Sequence, residues 1–147
     1  GALDAVSRLA ESLVALHHGW DTARFFTTPD VADGYHRFFA SQLGKPDVLL
    51  LVAEVDGRVA GYLYGTCEGR DWAKLLDPHG AVHDVYVSDE HRRAGAARAL
   101  LTEAGARFKA RGLARVVLYS ATANQAGQRL FAQLGYRPTM VELTLEL

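Results

Sequence analysis

The feature that most constrains the fold is a largely apolar stretch, residues 48–65, interrupted once by Asp56 and Gly57. The run before the interruption, VLLLVAEV, has the composition of a buried β-strand, and RVAGYLYG after it has that of a second strand. An Asp-Gly pair between two such runs is a strong signal for a two-residue hairpin turn. The chain is therefore expected to fold around a buried strand and its antiparallel partner.

Apolar residues at helical spacing flank this hairpin, and further short strands follow it. The pattern predicts helices over residues 4–18, with Asp4 as the N-cap, and over 30–42, 94–111 and 124–134. Strands are predicted over 81–87, 114–121 and 140–147, and residues 66–80 are expected to form a loop. Because no internal repeat, linker or low-complexity tract is visible, we expect a single α+β domain over residues 1–147 with a mixed sheet.

Composition narrows the class of protein further. With 49% hydrophobic and 22% charged residues, the chain has the make-up of a packed globule rather than a disordered one. Its longest strongly apolar run, residues 48–53, is too short to span a bilayer, and no signal peptide or lipidation motif is visible. The single cysteine, Cys67, excludes an internal disulfide and a cysteine-based metal site and fits a reducing compartment. We therefore expect a cytoplasmic protein with no metal and no membrane partner.

The formal net charge of −1 conceals two halves of opposite sign. Residues 1–78 carry 11 acidic and 7 basic side chains, whereas residues 79–147 carry 6 acidic and 9 basic ones. All nine of those basic residues lie within 91–137, where Glu103 is the only acid. Each half is therefore expected to have its own partner, of the opposite charge.

The most informative segment, residues 85–97, runs from the end of a predicted strand into a predicted helix. Two arginines, Arg92 and Arg93, precede small residues that begin the helix. The unpaired N–H groups of a first helical turn attract anions, and small residues let a phosphate approach the backbone. No Gly-Lys-Ser/Thr and no GxGxxG run follows a strand, so a P-loop and a nicotinamide or flavin site are disfavoured. On these residues alone, an ordinary basic helix start is an equal alternative.

The wider context favours the anion site, because Arg92-x-x-Gly95-x-Ala97 matches the Arg/Gln-x-x-Gly-x-Gly/Ala signature of the GCN5-related N-acetyltransferases. The order of predicted elements also resembles that superfamily, as does Asn124 followed by Leu130-Phe131 and by residues 134–136. The resemblance implies a GNAT-like acyl-CoA N-acyltransferase fold with a central, mixed, mostly antiparallel sheet flanked by helices. One departure is that the family's first strand is absent or reduced to residues 1–3.

The resemblance further implies that acetyl-CoA is the co-substrate. Its pantetheine arm would lie in a V-shaped opening between the third and fourth strands, and its pyrophosphate would lie at the signature. The residues implied to contact it are Val85, Tyr86, Val87, Arg92, Arg93, Ala94, Gly95, Ala96, Ala97, Asn124 and Phe131.

The strand before the signature, VHDVYV, is similar to that of the polyamine acetyltransferases, where a Glu-Asp pair occupies the positions of His83 and Asp84. Carried over, His83 is the candidate general base, acting through water, since histidine titrates closest to neutral pH. Asp84 would orient a neighbour or attract a cationic acceptor. Strand alternation places His83 on the face of Val85 and Val87, and Asp84 on that of Tyr86. A strand histidine with a purely structural role is the alternative.

A second departure from the family's pattern concerns the residue that would donate a proton to the leaving thiolate. Many relatives carry a tyrosine in the short helix where this chain has Phe131, and a phenyl ring cannot donate a proton. A thiolate leaves acceptably without help, so unassisted departure and proton donation by Tyr119 both remain open, with Ser120 and Tyr136 as nearby substitutes. Because the resemblance implies direct transfer, Cys67 is interpreted as a packing or loop residue rather than a nucleophile.

The acceptor pocket is implied to lie around residues 17–26 and 67–79. These stretches contain acidic and aromatic side chains that together suit an ammonium group: Trp20, Asp21, Phe25, Phe26, Glu68, Asp71, Trp72 and Asp77. The function predicted is therefore acetyl transfer to a primary amine of a small cationic molecule, such as a polyamine, aminoglycoside or amino-acid derivative. Packing of helix on sheet is the alternative for each aromatic residue singly.

Two other classes of function compete with this one. A domain that binds acetyl-CoA as a sensor or interaction module, without efficient catalysis, is supported by Phe131 and opposed by His83 with Asp84. Nucleic-acid binding through residues 91–137 is disfavoured, because its arginines come without an aromatic platform or a helix-turn-helix pattern. The apolar alternation of residues 140–147 is compatible with a homodimer.

Overall fold

The computed structural model describes residues 1–92 and 94–147. Two helices come first, three antiparallel strands follow, and two further helices enclose a fourth strand. In chain order the elements are α1 (Ala2–Trp20), α2 (Val31–Gln42), β1 (Val48–Val55), β2 (Arg58–Glu68), β3 (His79–Val87), a 3₁₀ turn (Asp89–His91), α3 (Ala96–Ala110), β4 (Val116–Leu118) and α4 (Gln125–Gln133).

The four strands form one sheet in the order β1-β2-β3-β4. β1, β2 and β3 pair antiparallel, and β4 pairs parallel to β3. The turn between β1 and β2 has positive φ at both central residues, 52° at Asp56 and 75° at Gly57, as the Asp-Gly pair requires. The mixed, mostly antiparallel sheet flanked by helices confirms the fold predicted from sequence.

Helices cover both faces of the sheet. Neighbouring strand residues point to opposite faces and therefore contact different helices. On β2, Leu63 belongs to the cluster formed with α3 and α4, whereas Tyr62 belongs to the cluster formed with α1 and α2. Phe108 of α3 lies against β3 so closely that a Cβ at Gly80 would be 2.5 Å from its ring. That contact fixes α3, and with it the start of the helix, relative to β3.

Several predicted boundaries are wrong in detail. Gly1, not Asp4, is the N-cap of α1, and its terminal ammonium donates a hydrogen bond to the Asp4 carboxylate at 3.1 Å. α1 already begins at Ala2, so residues 1–3 form no strand. β2 and β3 extend into the stretch expected to be a loop, which shrinks to residues 69–78 and holds a bridge between Asp71 and Leu76.

The largest disagreement concerns the last two predicted strands. β4 covers three residues instead of eight, and residues 140–147 have no strand assignment and are exposed throughout. Alternating apolar residues form a strand only where they exchange hydrogen bonds with a neighbouring backbone, and within the described ranges no backbone hydrogen bond joins residues 140–147 to a strand. Within the part of the chain that the structure describes, no helix is long and apolar enough to cross a membrane.

Candidate active site

The sheet opens beside β3. β4 pairs with β3 over three residues, from Gly80 opposite Val116 to Val82 opposite Leu118. Beyond Val82, β3 continues to Val87, and no described residue of β4 accompanies it. The edge of β3 that includes Val85 and Val87 therefore borders an opening between the two strands, at the place where the sequence predicted one.

The start of α3 lies just after the end of β3. Gly95 is the N-cap, with a φ of 81° that favours glycine, and apart from its chain neighbours no atom of the described residues lies within 4 Å of the position its Cβ would take. No acidic residue lies in the first turn of α3, so no carboxylate offsets the positive end of its dipole. Ala94 is exposed, Ala96 is buried and Ala97 is half-buried. Small side chains, free space and unpaired first-turn amides fit a phosphate group.

Of the two arginines of the signature, Arg92 lies within the described residues. Arg93 lies outside the described residues. The Arg92 guanidinium is 3.0 Å from Asp89 (Nη2 to Oδ1), and its carbon lies 5.7 Å from the centre of the Tyr86 ring. Its Nε donates a long hydrogen bond, 3.5 Å, to the carbonyl of Val87. Arg92 is therefore held at the mouth of the opening, with its charge shared with a carboxylate.

Asn124 and Phe131 organise α4. The Asn124 side-chain oxygen accepts a hydrogen bond from the Gly127 amide at 3.0 Å, which caps the helix. Phe131 is buried and packs edge-on against Tyr136, with 6.0 Å between ring centres. Both residues therefore have structural roles, and their contact with a cofactor stays a prediction.

β3 carries a β-bulge at the candidate catalytic residues. Tyr64 of β2 pairs with Asp84 and Gly65 pairs with Val82, so His83 is the extra residue. The His83 Nε2 lies 2.7 Å from the Thr66 hydroxyl, and the imidazole lies 5.3 Å from the Tyr64 ring.

The bulge changes the face on which His83 lies. Tyr64 packs with the α1 and α2 cluster, so the His83 side chain lies on the same face of the sheet as Asp84. The simple alternation that placed His83 with Val85 and Val87 is therefore wrong. The extra residue places the side chains of His83 and Asp84 on the same face of the sheet.

Asp84 is a half-buried carboxylate with a defined hydrogen bond. The Tyr62 hydroxyl donates to Asp84 Oδ2 at 2.9 Å. Burial raises the pKa of Asp84, while the Tyr62 hydrogen bond and the neighbouring His83 and His17 lower it in part. Burial and the charge of Asp84 raise the pKa of Tyr35 to about 12 and also raise that of Tyr62. The site thus holds one carboxylate surrounded by neutral phenols.

Tyr119 stands at the end of β4 with 67% of its surface exposed. The Lys74 ammonium lies 4.7 Å from the centre of its ring, and its hydroxyl raises the pKa of Lys74 through a hydrogen bond. Tyr136, in contrast, is half-buried against Phe131. Of these two phenols, Tyr119 is the accessible one, and its contact joins the loop of residues 69–78 to the end of β4.

Most acids predicted for the acceptor pocket are engaged locally. Asp21 accepts hydrogen bonds from the amides of residues 23 and 24, and Asp71 accepts from those of residues 73 and 74. Asp77 pairs with Arg70 at 3.1 Å. Glu68 at the end of β2 is exposed. Asp84 is therefore the acid best placed, by its burial and by its face of the sheet, to attract an ammonium group.

The aromatic residues of that region divide into two groups. Trp20 and Phe25 pack edge-on against His17, at 4.9 and 5.1 Å between ring centres. Phe26 and Trp72 remain 80% and 77% exposed. The first group packs the end of α1, and the second offers surface to a ligand.

Cys67 lies on β2 and is half-buried, with the Arg111 guanidinium 3.7 Å from its sulfur. No histidine is among its hydrogen-bonding contacts within the described ranges, which agrees with a packing role. In those same ranges, no group of three or more His, Cys, Asp or Glu side chains is arranged to hold a metal ion.

The splayed mixed sheet, with an open helix N-terminus beside it, agrees with the fold that the motifs suggested. The family comparison agrees: the chain belongs to the acetyltransferase (GNAT) family, whose model matches residues 13–136.

Individual relatives are more distant. The chain is similar to the mycothiol acetyltransferase of Thermobispora bispora, with 36% identity over 86 residues, which cover 54% of this chain and 29% of that protein. It therefore spans less than a third of that relative's length.

Solved structures share the fold at low sequence identity. A mutant form of the BH1408 protein of Bacillus halodurans superposes with a TM-score of 0.84 at 18% identity, covering 97% of this chain and 92% of that one. An aminoglycoside N-acetyltransferase, AAC(6')-Iy, crystallised with CoA, superposes with a TM-score of 0.70 at 15% identity, covering 97% and 90%.

Sequence reasoning missed the side chains of β2 that contact the candidate catalytic pair. Tyr62, Tyr64 and Thr66 occupy alternate positions of β2 and face the bulge from the neighbouring strand. Their alternation was visible in the sequence, but their partners depend on the register between β2 and β3.

Proposed function

We propose that this protein transfers the acetyl group of acetyl-CoA directly to the primary amine of a small cationic molecule. One observation carries the proposal: β3 holds His83 and Asp84 at its bulge, continues five residues beyond its pairing with β4, and is followed by the open N-terminus of α3. A polar pair suited to deprotonating an amine and a site suited to a phosphate therefore border the same opening.

Acetyl-CoA supplies a thioester when it is bound. The residues that would hold it are the first-turn amides of α3 after Gly95, together with Arg92 and Arg93. The exposed edge of β3 at Val85 and Val87 offers backbone groups to the pantetheine amides. A backbone N–H near Val85 would stabilise charge that develops on the thioester oxygen.

His83 and Asp84 have different roles toward the acceptor amine. Asp84 attracts the ammonium, and its negative charge is supported by the Tyr62 hydrogen bond. His83 accepts the proton through water, while its contact with Thr66 orients the ring. Because His83 is exposed, it can return that proton to solvent.

Two routes remain for the leaving thiolate, because Phe131 has no proton to give. Substitution Tyr119→Phe separates them: a lowered kcat with unchanged acetyl-CoA affinity assigns proton donation to Tyr119. An unchanged kcat assigns unassisted departure of the thiolate.

The acceptor class rests on charge and on aromatic surface. The carboxylate of Asp84 and the exposed rings of Phe26 and Trp72 suit a cationic amine. Similarity to a mycothiol acetyltransferase and to an aminoglycoside N-acetyltransferase supports a small-molecule acceptor, and a polyamine fits the same chemistry. We place the reaction in the cytoplasm, where the single Cys67 would stay reduced.

The first experiment is thermal stabilisation by acetyl-CoA, measured against CoA and ATP, because a ligand bound by the native state raises the unfolding midpoint. We expect acetyl-CoA and CoA to raise the midpoint and ATP to raise it less. An unchanged midpoint with acetyl-CoA contradicts the proposal.

A panel of polyamines, aminoglycosides and amino-acid amides, read by thiol release, then tests the acceptor. The absence of a hydroxyl at buried Phe131 favours a second candidate, an acetyl-CoA-binding module without efficient catalysis. Binding of acetyl-CoA with no thiol release across the panel would favour that module over the enzyme.

A further inference from the structure

The imidazole of His17 continues the row of residues that packs α1 onto the sheet. Val6 and Ala10 are buried in the cluster that α1 and α2 form with β2, and Leu13 packs against the same cluster. Residues three and four apart share one face of a helix, so His17 follows Leu13 on this inward face, in the last turn of α1. It therefore faces the side of the sheet that carries Asp84.

Hydrogen bonding determines which nitrogen of His17 is available. Its Nδ1 lies 2.9 Å from the Leu13 carbonyl, and because a carbonyl oxygen only accepts, Nδ1 is the donor. In the neutral ring Nε2 is then an acceptor, and no described residue forms a hydrogen bond with it. Trp20 and Phe25 pack edge-on against the ring. His17 thus presents one acceptor atom that is held in place and has no partner among the described residues.

Asp84 offers a second acceptor on the same side of the sheet. The Tyr62 hydroxyl donates to Oδ2, and no described residue donates to Oδ1. The charges of His83 and of His17 both lower the pKa of Asp84, against the larger effect of burial. Two imidazoles therefore lie within electrostatic reach of this carboxylate, one from β3 and one from α1.

An acceptor ammonium needs a partner for each of its N–H groups. A primary ammonium has three N–H donors and no acceptor. In the proposed reaction one proton passes through water to His83, and two N–H groups stay on the nitrogen. Asp84 accepts from one of them, and leaving the other unpaired inside the site costs binding free energy. The Nε2 of His17 is suited to it, because an imidazole nitrogen is more basic than the phenol oxygens of this face.

We propose that His17 Nε2 accepts a hydrogen bond from the acceptor amine and makes the site selective for primary over secondary amines. This role rests on the proposed function, because it needs an amine acceptor. A primary amine keeps two N–H groups after losing its proton, one for Asp84 and one for His17. A secondary amine keeps one, so either the carboxylate or the imidazole is left without a partner.

The test is the preference for a primary amine over its N-methyl derivative, measured as the ratio of their kcat/KM values. Butylamine with N-methylbutylamine and benzylamine with N-methylbenzylamine are the two pairs. Two substitutions separate the ring nitrogens: His17→Asn keeps a donor near the position of Nδ1 and removes Nε2, whereas His17→Gln keeps an acceptor near the position of Nε2.

His17→Asn is expected to lower kcat/KM for the primary amine roughly 10- to 100-fold and to change that for the N-methyl amine less than about threefold. His17→Gln should keep most of the preference, and the KM for acetyl-CoA should stay the same in both variants. The matched control is His18→Asn, since the His18 Nδ1 also donates to a carbonyl, that of Phe25 at 2.7 Å. This control should keep the full preference.

Nitrogen NMR of the native protein gives a second test that needs no turnover. With isotope-labelled histidine, the Nε2 resonance of His17 is assigned by its absence from His17→Asn. It should move upfield when butylamine is added to the CoA-bound protein, because Nε2 then accepts a hydrogen bond, and it should move less with N-methylbutylamine.

Two kinetic results would overturn the proposal. If His17→Asn keeps the preference, with or without its loss in His17→Gln, then His17 only holds the end of α1. If the preference falls because the N-methyl amine reacts faster, asparagine merely makes room for the methyl group.

Absence of thiol release with every amine contradicts the proposed function instead. The NMR titration then decides the role of His17: a resonance displaced by butylamine supports amine recognition, and an unmoved one overturns it.

Discussion

At the level of single residues, the bulge at His83 decides which side chains share the candidate site. The extra residue turns His83 toward Thr66 and Tyr64, on the face that also carries Asp84. An amine approaching this face meets a carboxylate held by Tyr62 and an imidazole exposed to water. Proton transfer by a positioned side chain typically accounts for a factor of about 10² to 10⁴ in rate.

His83→Ala is expected to lower kcat/KM roughly 100-fold while leaving acetyl-CoA affinity unchanged, because it removes the proton acceptor and no part of the anion site. Thiol release with a saturating amine measures the first effect, and thermal stabilisation by acetyl-CoA measures the second. His36→Ala is the control, since His36 pairs with Asp4 on the outer helices. Unchanged rates with several amines would refute the role assigned to His83.

Asp84→Asn is expected to lower the activity without lowering the stability of the fold. Burial raises the pKa of Asp84 above its ordinary value of 3.8, so the folded protein binds this proton more tightly than the unfolded chain does. The free energy of unfolding therefore falls as pH rises from about 3.8 through the raised value, and the ionised carboxylate costs stability above it. Asparagine can still accept the Tyr62 hydrogen bond without that cost.

We accordingly expect Asp84→Asn to unfold at an equal or higher temperature at neutral pH, with a flatter pH dependence above pH ~4, and to lose roughly 10- to 100-fold in kcat/KM. Denaturant unfolding at several pH values checks the first expectation. Asp77→Asn, which removes an exposed carboxylate paired with Arg70, should show neither effect. A lower stability of Asp84→Asn at neutral pH would contradict the assignment of burial as the dominant influence.

At the level of elements, α3 connects the core to the proposed anion site. Phe108 packs against Gly80 of β3 near one end of the helix, and Gly95 begins the helix at the other. Two glycines with nearly equal positive φ values bracket it, 81° at Gly95 and 79° at Gly112. Apart from its chain neighbours, neither glycine has an atom of the described part of the chain within 4 Å of its Cβ position, so the two differ mainly in what lies outside the helix end.

Gly95→Ala is expected to weaken acetyl-CoA binding at least tenfold, because a methyl group would stand where a phosphate approaches the first-turn amides. Gly112→Ala is the matched control: it carries the same backbone cost of about 1 to 2 kcal/mol at the far end of the helix. Both variants should lose similar stability without ligand. Equal acetyl-CoA affinities in the two variants would count against the anion site.

At the level of the whole molecule, the charge pattern is more finely divided than the two halves of the sequence suggested. A helix rises about 1.5 Å per residue, so Arg111 lies about 24 Å along α3 from Gly95. Arg107 pairs with Glu103, and Arg111 lies 3.6 Å from Asp47 near a groove of about 440 Å³ at the outer edge of β1. These two arginines are too far from the signature to contact a phosphate there.

Arg92→Gln should therefore reduce acetyl-CoA affinity about three- to tenfold, whereas Arg107→Gln should leave it unchanged. Titration calorimetry at two salt concentrations measures both, and the affinity of Arg92→Gln should depend less on salt. An equal loss in the two variants would mean that the net charge of the region, rather than the signature, attracts the cofactor.

The sequence predicted what local chemistry determines and missed what strand pairing determines. The limits of β1 and the Asp-Gly turn follow from residue preferences and were predicted correctly, whereas the start of α3 was predicted two residues early, at Ala94. The bulge depends on the register of β2 with β3, which alternation within one strand does not encode. The unpaired residues 140–147 kept the pattern of a strand, because burial preference is visible in a sequence and the presence of a neighbouring backbone is not.

The bulge also has a consequence for how such a protein can diversify. Val82 and Asp84, on either side of residue 83, both pair with β2, so His83 is an extra residue without a partner in the β2–β3 pairing. The residue at position 83 can be replaced, or the extra residue can be deleted, without moving another residue of β3 to the opposite face of the sheet. Evolution can thus change the residue that we propose as the general base while the pairing of β2 with β3 is retained.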